Sequence, residues 1–142
     1  AMAKTPWGWI LSNSPERLIR VGADGTVQAR PIAGTRGRGA SPDEDARIGA
    51  ELLANEKELA EHRMLVDLVR NDLGRVCRAG SVAVDEPLAL ERYSHVTHLV
   101  SNVRGTLAAG RDGWDAFRAA FPGGTITGCP KIRCMRLLDG LE

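Results

Sequence analysis

The stretch NEKELAEHRMLVDLVRNDLGRV, residues 55–76, predicts a long helix in the middle of a chain that otherwise carries many strand signals. We expect this helix over residues 56–75 and an earlier one over 42–54, with a break near Asn55. The earlier helix has a clear start signal, because Ser41 suits an N-cap, Pro42 suits the first turn and acidic residues follow.

Strand patterns precede these helices. The segment WGWILSN, residues 7–13, predicts one strand, and RLIRVGADGTVQARPI, residues 17–32, predicts a hairpin. Asp24-Gly25 is the tight-turn signal between the two arms of that hairpin. A loop rich in glycine and arginine is expected over residues 33–45.

The second half of the chain repeats this order of strands followed by helices. Residues 80–107 predict two or three strands rich in Val and Leu, and residues 113–121 predict a short helix that ends at Pro122. Residues 131–142 predict an amphipathic helix with Ile132, Met135 and Leu138 on one side. Strands, helices, strands and helices in this order indicate an α+β fold with a largely antiparallel sheet.

Composition restricts the classes of function. The chain has 142 residues, enough for one domain with a core, and a formal net charge of +1, which favours neither nucleic acid nor an acidic membrane as a partner. No apolar run approaches the roughly 20 residues that span a bilayer. Three cysteines form no even disulfide framework, so we expect a reducing, cytoplasmic setting. Residues 1–3 are interpreted as an expression scar.

Two carboxylates of the long helix form a candidate metal site. Glu58 and Glu61 are three residues apart and therefore share a helix face. Oxygen ligands of this kind suit Mg²⁺, which keeps several waters. The alternative is a surface helix that carries acids for solubility, and spacing alone favours that alternative.

Other titratable residues have equally plain alternatives. Glu16 follows a Ser-Pro turn between strands, where a single acid is usually exposed. His95 and His98 are three apart on a predicted strand and so face opposite sides, which leaves at most one of them for any site. A core histidine is the ordinary reading of either, and a joint metal site fits no zinc pattern.

The segment GGTITGCPKIRCM, residues 123–135, is either a plain turn or an anion site. It places glycines and threonines at the start of a helix, where free N–H groups and hydroxyls can meet a carboxylate or phosphate. The other glycine-rich segment, RPIAGTRGRG at residues 30–39, lacks the spacing of nucleotide-binding loops. Cys129 and Cys134 are expected as small core residues.

In chain order, five segments closely resemble the chorismate-utilising enzymes, namely the large subunits of anthranilate and aminodeoxychorismate synthases and their isochorismate and salicylate synthase relatives. These segments are SPERL, RPIAGTRGRG, KELAEHRMLVDLVRNDLGRVCRAGSV, ERYSHVTHLVSNVRG and FPGGTITGCPKIRCM. The resemblance implies an α/β sandwich of two antiparallel sheets with outer helices. Residues 4–142 would be a partial chorismate-binding domain, an incomplete segment of that fold.

The resemblance also implies a reaction. It is the Mg²⁺-dependent addition of a nucleophile to chorismate with loss of the C4 hydroxyl, and in the aminating members ammonia comes from a glutamine amidotransferase subunit. Hydroxide leaves carbon poorly, so a proton donor such as a glutamic acid of raised pKa is needed.

The resemblance assigns roles residue by residue. Glu61 matches the magnesium ligand, with Glu58 beside it, and Glu16 matches the acid that helps the hydroxyl leave. His98 matches the active-site histidine. The substrate-binding positions that the motifs imply are Thr35, Ala33, Gly124 and Thr125, of which Thr125 and the glycine-rich turn would hold the ring carboxylate.

The branch within the family is a narrower question. Aminodeoxychorismate synthases often carry a lysine where this chain has Ala33, which resembles anthranilate synthases. SPERL and PGGTITG resemble the aminodeoxychorismate branch, which we favour. Family members continue with further substrate and metal ligands that this sequence lacks, so we expect an incomplete site. The alternative of another class is a non-catalytic fragment that binds only a carboxylate or a partner chain.

Overall fold

The chain is built on a long central strand, and a computed structural model describes it over residues 2–12 and 16–141. The strands are β1 (Met2–Thr5), β2 (Gly8–Leu11), β3 (Arg20–Val21), β4 (Thr26–Ala29), β5 (Ile32–Gly37), β6 (Ala83–Arg92) and β7 (Val96–Thr106). The helices are α1 (Pro42–Ala54), α2 (Glu56–Gly74), α3 (Gly113–Ala120), α4 (Gly124–Thr127) and α5 (Lys131–Asp139).

Strand β7 is the centre of a five-stranded antiparallel sheet. Strand β6 pairs along one edge of β7, while β5 and β4 follow each other along the opposite edge, and β3 pairs with the outer side of β4. Strands β1 and β2 form a separate two-stranded antiparallel sheet. The predicted antiparallel α+β class and the hairpin at Asp24-Gly25 are both confirmed.

Helices α1 and α2 form where the sequence predicts them. The Ser41 side chain accepts a hydrogen bond from the Glu44 amide and caps α1. At the break between the helices, the Asn55 side-chain oxygen accepts a hydrogen bond from the Glu58 amide at 3.1 Å. Each cap satisfies an amide that the first turn of a helix leaves without a partner.

The hydrophobic core lies between α2, α3 and the sheet. Its buried residues are Val27, Leu73, Val76, Cys77, Val103, Ala116 and Ala119. Full burial of a side chain such as Leu73 contributes about 1.5–3 kcal/mol. A second buried cluster joins Ala33 of β5 to Leu65 and Leu68 of α2. Helix α2 is therefore fixed against the sheet along its length, and its side chains have defined positions.

The predicted loop over residues 33–45 is wrong in its first part. Strand β5 continues to Gly37, with Thr35 opposite His98 and Gly37 opposite Val96 of β7. The register shifts between Ile32 and Thr35, where Gly34 has φ 86°. Gly34 therefore lies in a bulge within a paired strand, and the pairing with β7 makes a strand of residues whose composition predicts a loop.

The C-terminal segment departs from prediction in two ways. Residues 124–127 form the short helix α4, which no pattern in the sequence predicts. Cys129 is exposed rather than a core residue, and Cys134 is half-buried. Helix α5 is confirmed, but Ile132, Met135 and Leu138 of its apolar side are 38–50% exposed in this chain. Among the described helices, none has both the length and the apolar character needed to cross a membrane.

Candidate active site

A cavity of about 300 Å³ lies between α2, the segment before β3, the junction of β4 and β5, and the turn after α3. Glu16, Gly124 and Thr125, three of the residues singled out from the sequence, line this cavity. Helix α2 contributes Leu65 and Leu68 to its wall. Segments far apart in sequence thus place a carboxyl group opposite a glycine- and threonine-containing turn.

The carboxyl group of Glu16 has an unusual environment. Burial raises the pKa of Glu16 above its ordinary value, although the residue keeps an exposed surface. A hydrogen bond from the Ile32 backbone and the nearby His98 favour the ionised form and partly offset the raised pKa. A carboxyl group of raised pKa retains its proton at higher pH and can donate it. The Ser-Pro turn predicted before Glu16 lies outside the described residues.

Thr35 and His98 form a hydrogen-bonded pair across β5 and β7. The Thr35 hydroxyl and His98 Nδ1 are 2.8 Å apart. The Tyr93 ring meets the imidazole edge to face, with ring centroids 5.6 Å apart. Neither Thr35 nor His98 lines the cavity, but His98 is close enough to Glu16 to influence its pKa.

The prediction that both histidines lie on a strand is wrong for His95. His95 is an exposed residue of the turn between β6 and β7, and only His98 lies on β7. His98 is three residues from Ser101, whose hydroxyl is 2.7 Å from Nε2 of His62 on α2. Since side chains alternate along a strand, His98 points to the sheet face opposite to α2.

Glu58 and Glu61 lie near the start of α2, outside the lining of the cavity. Glu58 is half-buried and accepts a hydrogen bond from Arg36 Nη1 at 3.0 Å, whereas Glu61 is exposed. Over residues 2–12 and 16–141, no three His, Cys, Asp or Glu side chains gather into a metal-binding group. Two carboxylates on one helix face still fit Mg²⁺, which often takes one or two carboxylates and completes its shell with water and substrate oxygens.

Gly34 allows α2 to approach β5 closely. A Cβ atom at this position would lie 3.0 Å from Leu52 Cδ1 and 3.3 Å from Glu58 Oε2. The neighbouring Ala33 is 7% exposed and packs against Leu65 and Leu68. Ala33 therefore belongs to the layer that supports the cavity and does not line it.

A buried ion pair at the cavity wall was missed from the sequence. Lys131 Nζ lies 2.7 Å from Asp72 Oδ2 and donates to the carbonyl of Ala120 at 2.8 Å. Two signals could have revealed the pair: Asp72 follows Leu68 by four residues on the apolar side of α2, and Lys131 places a cation in the first turn of a helix, where the macrodipole disfavours it.

A second missed network surrounds Arg30 at the cavity. Its guanidinium pairs with Glu86 at 2.6 Å and with Glu91. The Tyr93 hydroxyl donates to Glu91 at 2.6 Å, and Glu91 lies opposite His98 in the β6–β7 register. The charge of Arg30 is thus balanced by two glutamates, and Tyr93 is held beside the imidazole.

Comparison with known proteins gives one consistent family. The family described as chorismate binding enzyme matches residues 1–142. An anthranilate synthase component I-like protein of Synechocystis sp. is 61% identical over 140 residues, 98% of this chain and 28% of that protein. Aminodeoxychorismate synthase component 1 of Bacillus subtilis is 54% identical over 142 residues, 100% of this chain and 30% of that protein.

A solved structure shares the fold as well. Anthranilate synthase component I from Streptococcus pneumoniae superposes with a TM-score of 0.79 at 43% identity, over 94% of this chain and 28% of that one. The chain thus spans less than a third of the length of the relatives it matches.

Proposed function

This chain belongs to the family of chorismate binding enzymes, and we propose that it is a segment of the large subunit of an aminodeoxychorismate synthase. In the proposed reaction, ammonia replaces the C4 hydroxyl of chorismate. The proposal concerns the complete synthase, because this chain corresponds to less than a third of its relatives.

One observation carries the proposal: Glu16 and the turn at Gly124 and Thr125 face the same cavity. The departing hydroxyl needs a proton, and burial raises the pKa of Glu16 so that its carboxyl group can hold one. We assign to the Thr125 hydroxyl and the glycine-rich turn the binding of the ring carboxylate. The apolar side chains of Leu65 and Leu68 at the cavity wall exclude water from the bound ring.

His98 and Thr35 form the second part of the proposed site. The hydrogen bond between Thr35 and His98 fixes the imidazole orientation, and the edge contact with Tyr93 limits its rotation. An imidazole of fixed orientation that interacts electrostatically with Glu16 can accept a hydrogen bond from substrate.

Glu61 and Glu58 would hold the Mg²⁺ ion. When bound, the ion would neutralise charge on a doubly anionic substrate. Arg36 competes for the same carboxylate, since it donates to Glu58 at 3.0 Å.

Ammonia would come from a separate glutamine amidotransferase. The names of relatives, such as aminodeoxychorismate synthase component 1, point to a second component in those proteins. We propose the same two-component arrangement for the synthase to which this chain belongs.

Anthranilate synthesis is the second candidate, with ammonia added at C2 and pyruvate lost. Ala33 favours anthranilate synthesis. It occupies the position at which aminodeoxychorismate synthases often carry a lysine that can attack the ring, and in this chain it is a buried alanine packed against α2. The Synechocystis relative at 61% identity carries an anthranilate synthase-like name. With Ala33, the aminodeoxychorismate reaction would require direct attack by ammonia.

An exchange chimera tests the proposal. In it, this chain replaces the matching segment of the Bacillus subtilis aminodeoxychorismate synthase component 1, which it matches over its whole length. The folded chimera is incubated with chorismate, Mg²⁺ and ammonia, and products are separated and identified by mass. Aminodeoxychorismate is the expected product, whereas anthranilate would assign the second candidate.

A pair of variants tests the metal assignment in the same chimera. Glu61→Gln should abolish Mg²⁺-dependent turnover, while Asp67→Asn should leave it unchanged, because the Asp67 side chain is 70% exposed on the same helix and pairs only with Arg70 among the described contacts. A folded chimera that consumes no chorismate would contradict the proposal and favour a fragment that binds without catalysis. The 142-residue chain assayed alone shows whether it needs the rest of the synthase.

A further inference from the structure

The turn that carries Gly124 and Thr125 is closed at its base by one side chain. Lys131 begins α5, directly after the turn, and its ammonium group donates to the carbonyl of Ala120, the last residue of α3, at 2.8 Å. The carbonyl of Ala119 lies 3.4 Å away. Residues 121–130 therefore form a loop that contains the short helix α4, and the two ends of this loop are joined through Lys131.

The same side chain fastens this loop to α2. Lys131 Nζ lies 2.7 Å from Asp72 Oδ2, and the two side chains are only 4% and 8% exposed. One turn earlier on α2, Leu68 supports the loop directly: a Cβ on Gly124 would lie 2.9 Å from Leu68 Cδ1. Since Leu68 and Asp72 are four residues apart, they lie on one helix face, and both contact the same loop.

Stability alone does not explain a buried pair of charges at this position. Burying two charges carries a desolvation penalty that well-packed apolar side chains avoid, whereas removing one partner leaves an uncompensated charge. The ion pair fixes the relative position of the segments it joins, which an apolar pair does less well. The ammonium group has three donors, and they point to Asp72 and to backbone carbonyls. The pair borders the cavity through Asp72, Ala120 and Gly124.

We propose that Lys131 and Asp72 are positioning residues for the carboxylate-binding turn, holding Gly124 and Thr125 at the distance from α2 that the substrate requires. The inference rests on the proposed function of that turn. The pair does not touch substrate in this proposal; it acts through the loop of residues 121–130.

A set of three variants separates positioning from stability. Lys131→Met leaves Asp72 without its partner, and we expect it to destabilise the chain. The double variant Asp72→Leu with Lys131→Met fills the site with apolar side chains and should recover much of the unfolding midpoint. Asp45→Asn is the matched control, because it breaks the Arg38–Asp45 pair, at 2.7 Å, outside the cavity lining.

The first readout needs no enzyme activity. Amide hydrogen exchange of the 142-residue chain reports on the bonds from Thr127 and Gly128 to the carbonyls of Gly123 and Gly124. In the double variant these amides should exchange at least about 10-fold faster than in the parent. Such an increase corresponds to a tenfold larger equilibrium constant for local opening of the loop. In Asp45→Asn they should keep the parent rate at matched global stability.

The second readout is the split between KM and kcat in the exchange chimera. The double variant should raise KM for chorismate by about 10-fold or more with a smaller change in kcat, since a ground-state carboxylate contact is weakened. Parental KM and parental exchange in a stable double variant would overturn the inference. A parent chimera without turnover would instead count against the proposed function and leave the exchange result to decide the role of the pair.

Discussion

The hydroxyl of Thr35 and Nδ1 of His98 lie 2.8 Å apart, on residues directly opposite each other in β5 and β7. The pair depends on the bulge at Gly34, because the register of β5 shifts between Ile32 and Thr35. A backbone irregularity in a glycine-rich segment thus determines which side chain meets the imidazole.

Replacing Thr35 by Val should lower turnover in the exchange chimera. The valine keeps the branched shape but removes the oxygen that fixes His98. Loss of one hydrogen bond of about 0.5–1.5 kcal/mol predicts a drop of about 2- to 13-fold. Thr35→Ser retains the hydroxyl and should stay close to the parent, so equal kcat/KM for the valine and serine variants would refute a role for this bond.

Glu16→Gln should have opposite effects on activity and on stability. Glutamine cannot donate the proton, so turnover should fall by about 100-fold or more. Burial raises the pKa of Glu16 in the folded chain above its unfolded value. Its favourable contribution to stability is therefore present below the unfolded pKa and is lost as pH rises through the folded pKa.

At neutral pH the glutamine variant should consequently unfold at a higher urea concentration than the parent, and this advantage should shrink in acid. Urea titrations of the 142-residue chain at about pH 7 and about pH 4 measure the difference. Glu51→Gln, an exposed change on α1, is the control for both measurements. A glutamine variant with undiminished turnover would remove Glu16 from the mechanism.

Gly34→Ala should destabilise the chain more than Gly25→Ala does. Both glycines have positive φ, 86° and 78°, so both alanines carry backbone strain of about 1–2 kcal/mol. A Cβ on Gly25 meets nothing within 4 Å, whereas one on Gly34 lies 3.0 Å from Leu52 and 3.3 Å from Glu58. The added crowding should cost about 1–3 kcal/mol more.

Denaturant unfolding of the two variants isolates this crowding, because the strain is common to both. Equal losses would show that Leu52 and Glu58 move aside without cost. We also expect Gly34→Ala, but not Gly25→Ala, to weaken Mg²⁺ activation of the exchange chimera, since the new methyl group displaces the Glu58 carboxylate.

His62 should make the chain sensitive to mild acid. Its side chain is fully buried, and burial lowers its pKa, an effect that the neighbouring Ala33 backbone partly offsets. The stability that depends on neutral His62 is therefore complete above its unfolded pKa of about 6.5 and is lost as pH falls from there.

Comparison of unfolding at about pH 7.5 and about pH 5.5 should show a smaller loss in His62→Gln than in the parent. The exposed His95 provides the control, and His95→Asn should keep the full parental loss. Identical pH dependence in His62→Gln and the parent would refute a role for buried His62 in this range.

Local patterns in the sequence were sufficient to predict most of the helices and strands. Ser41 and Asn55 cap α1 and α2 through hydrogen bonds to amides three residues later, and the hairpin at Asp24-Gly25 is equally local. The ordered motifs also identified the family, and three of the residues they implied line one cavity.

Contacts between segments distant in sequence determined the features that local patterns did not predict. Pairing with β7 made a strand of residues expected in a loop, and the short distance in sequence between β6 and β7 placed His95 in a turn. The burial of Lys131 against Asp72, 59 residues away, follows from the packing of the turn on α2. Caps and turns are short-range hydrogen bonds that a sequence specifies by itself, whereas strand register and buried charge pairs are settled only when the sheet and α2 exclude water together.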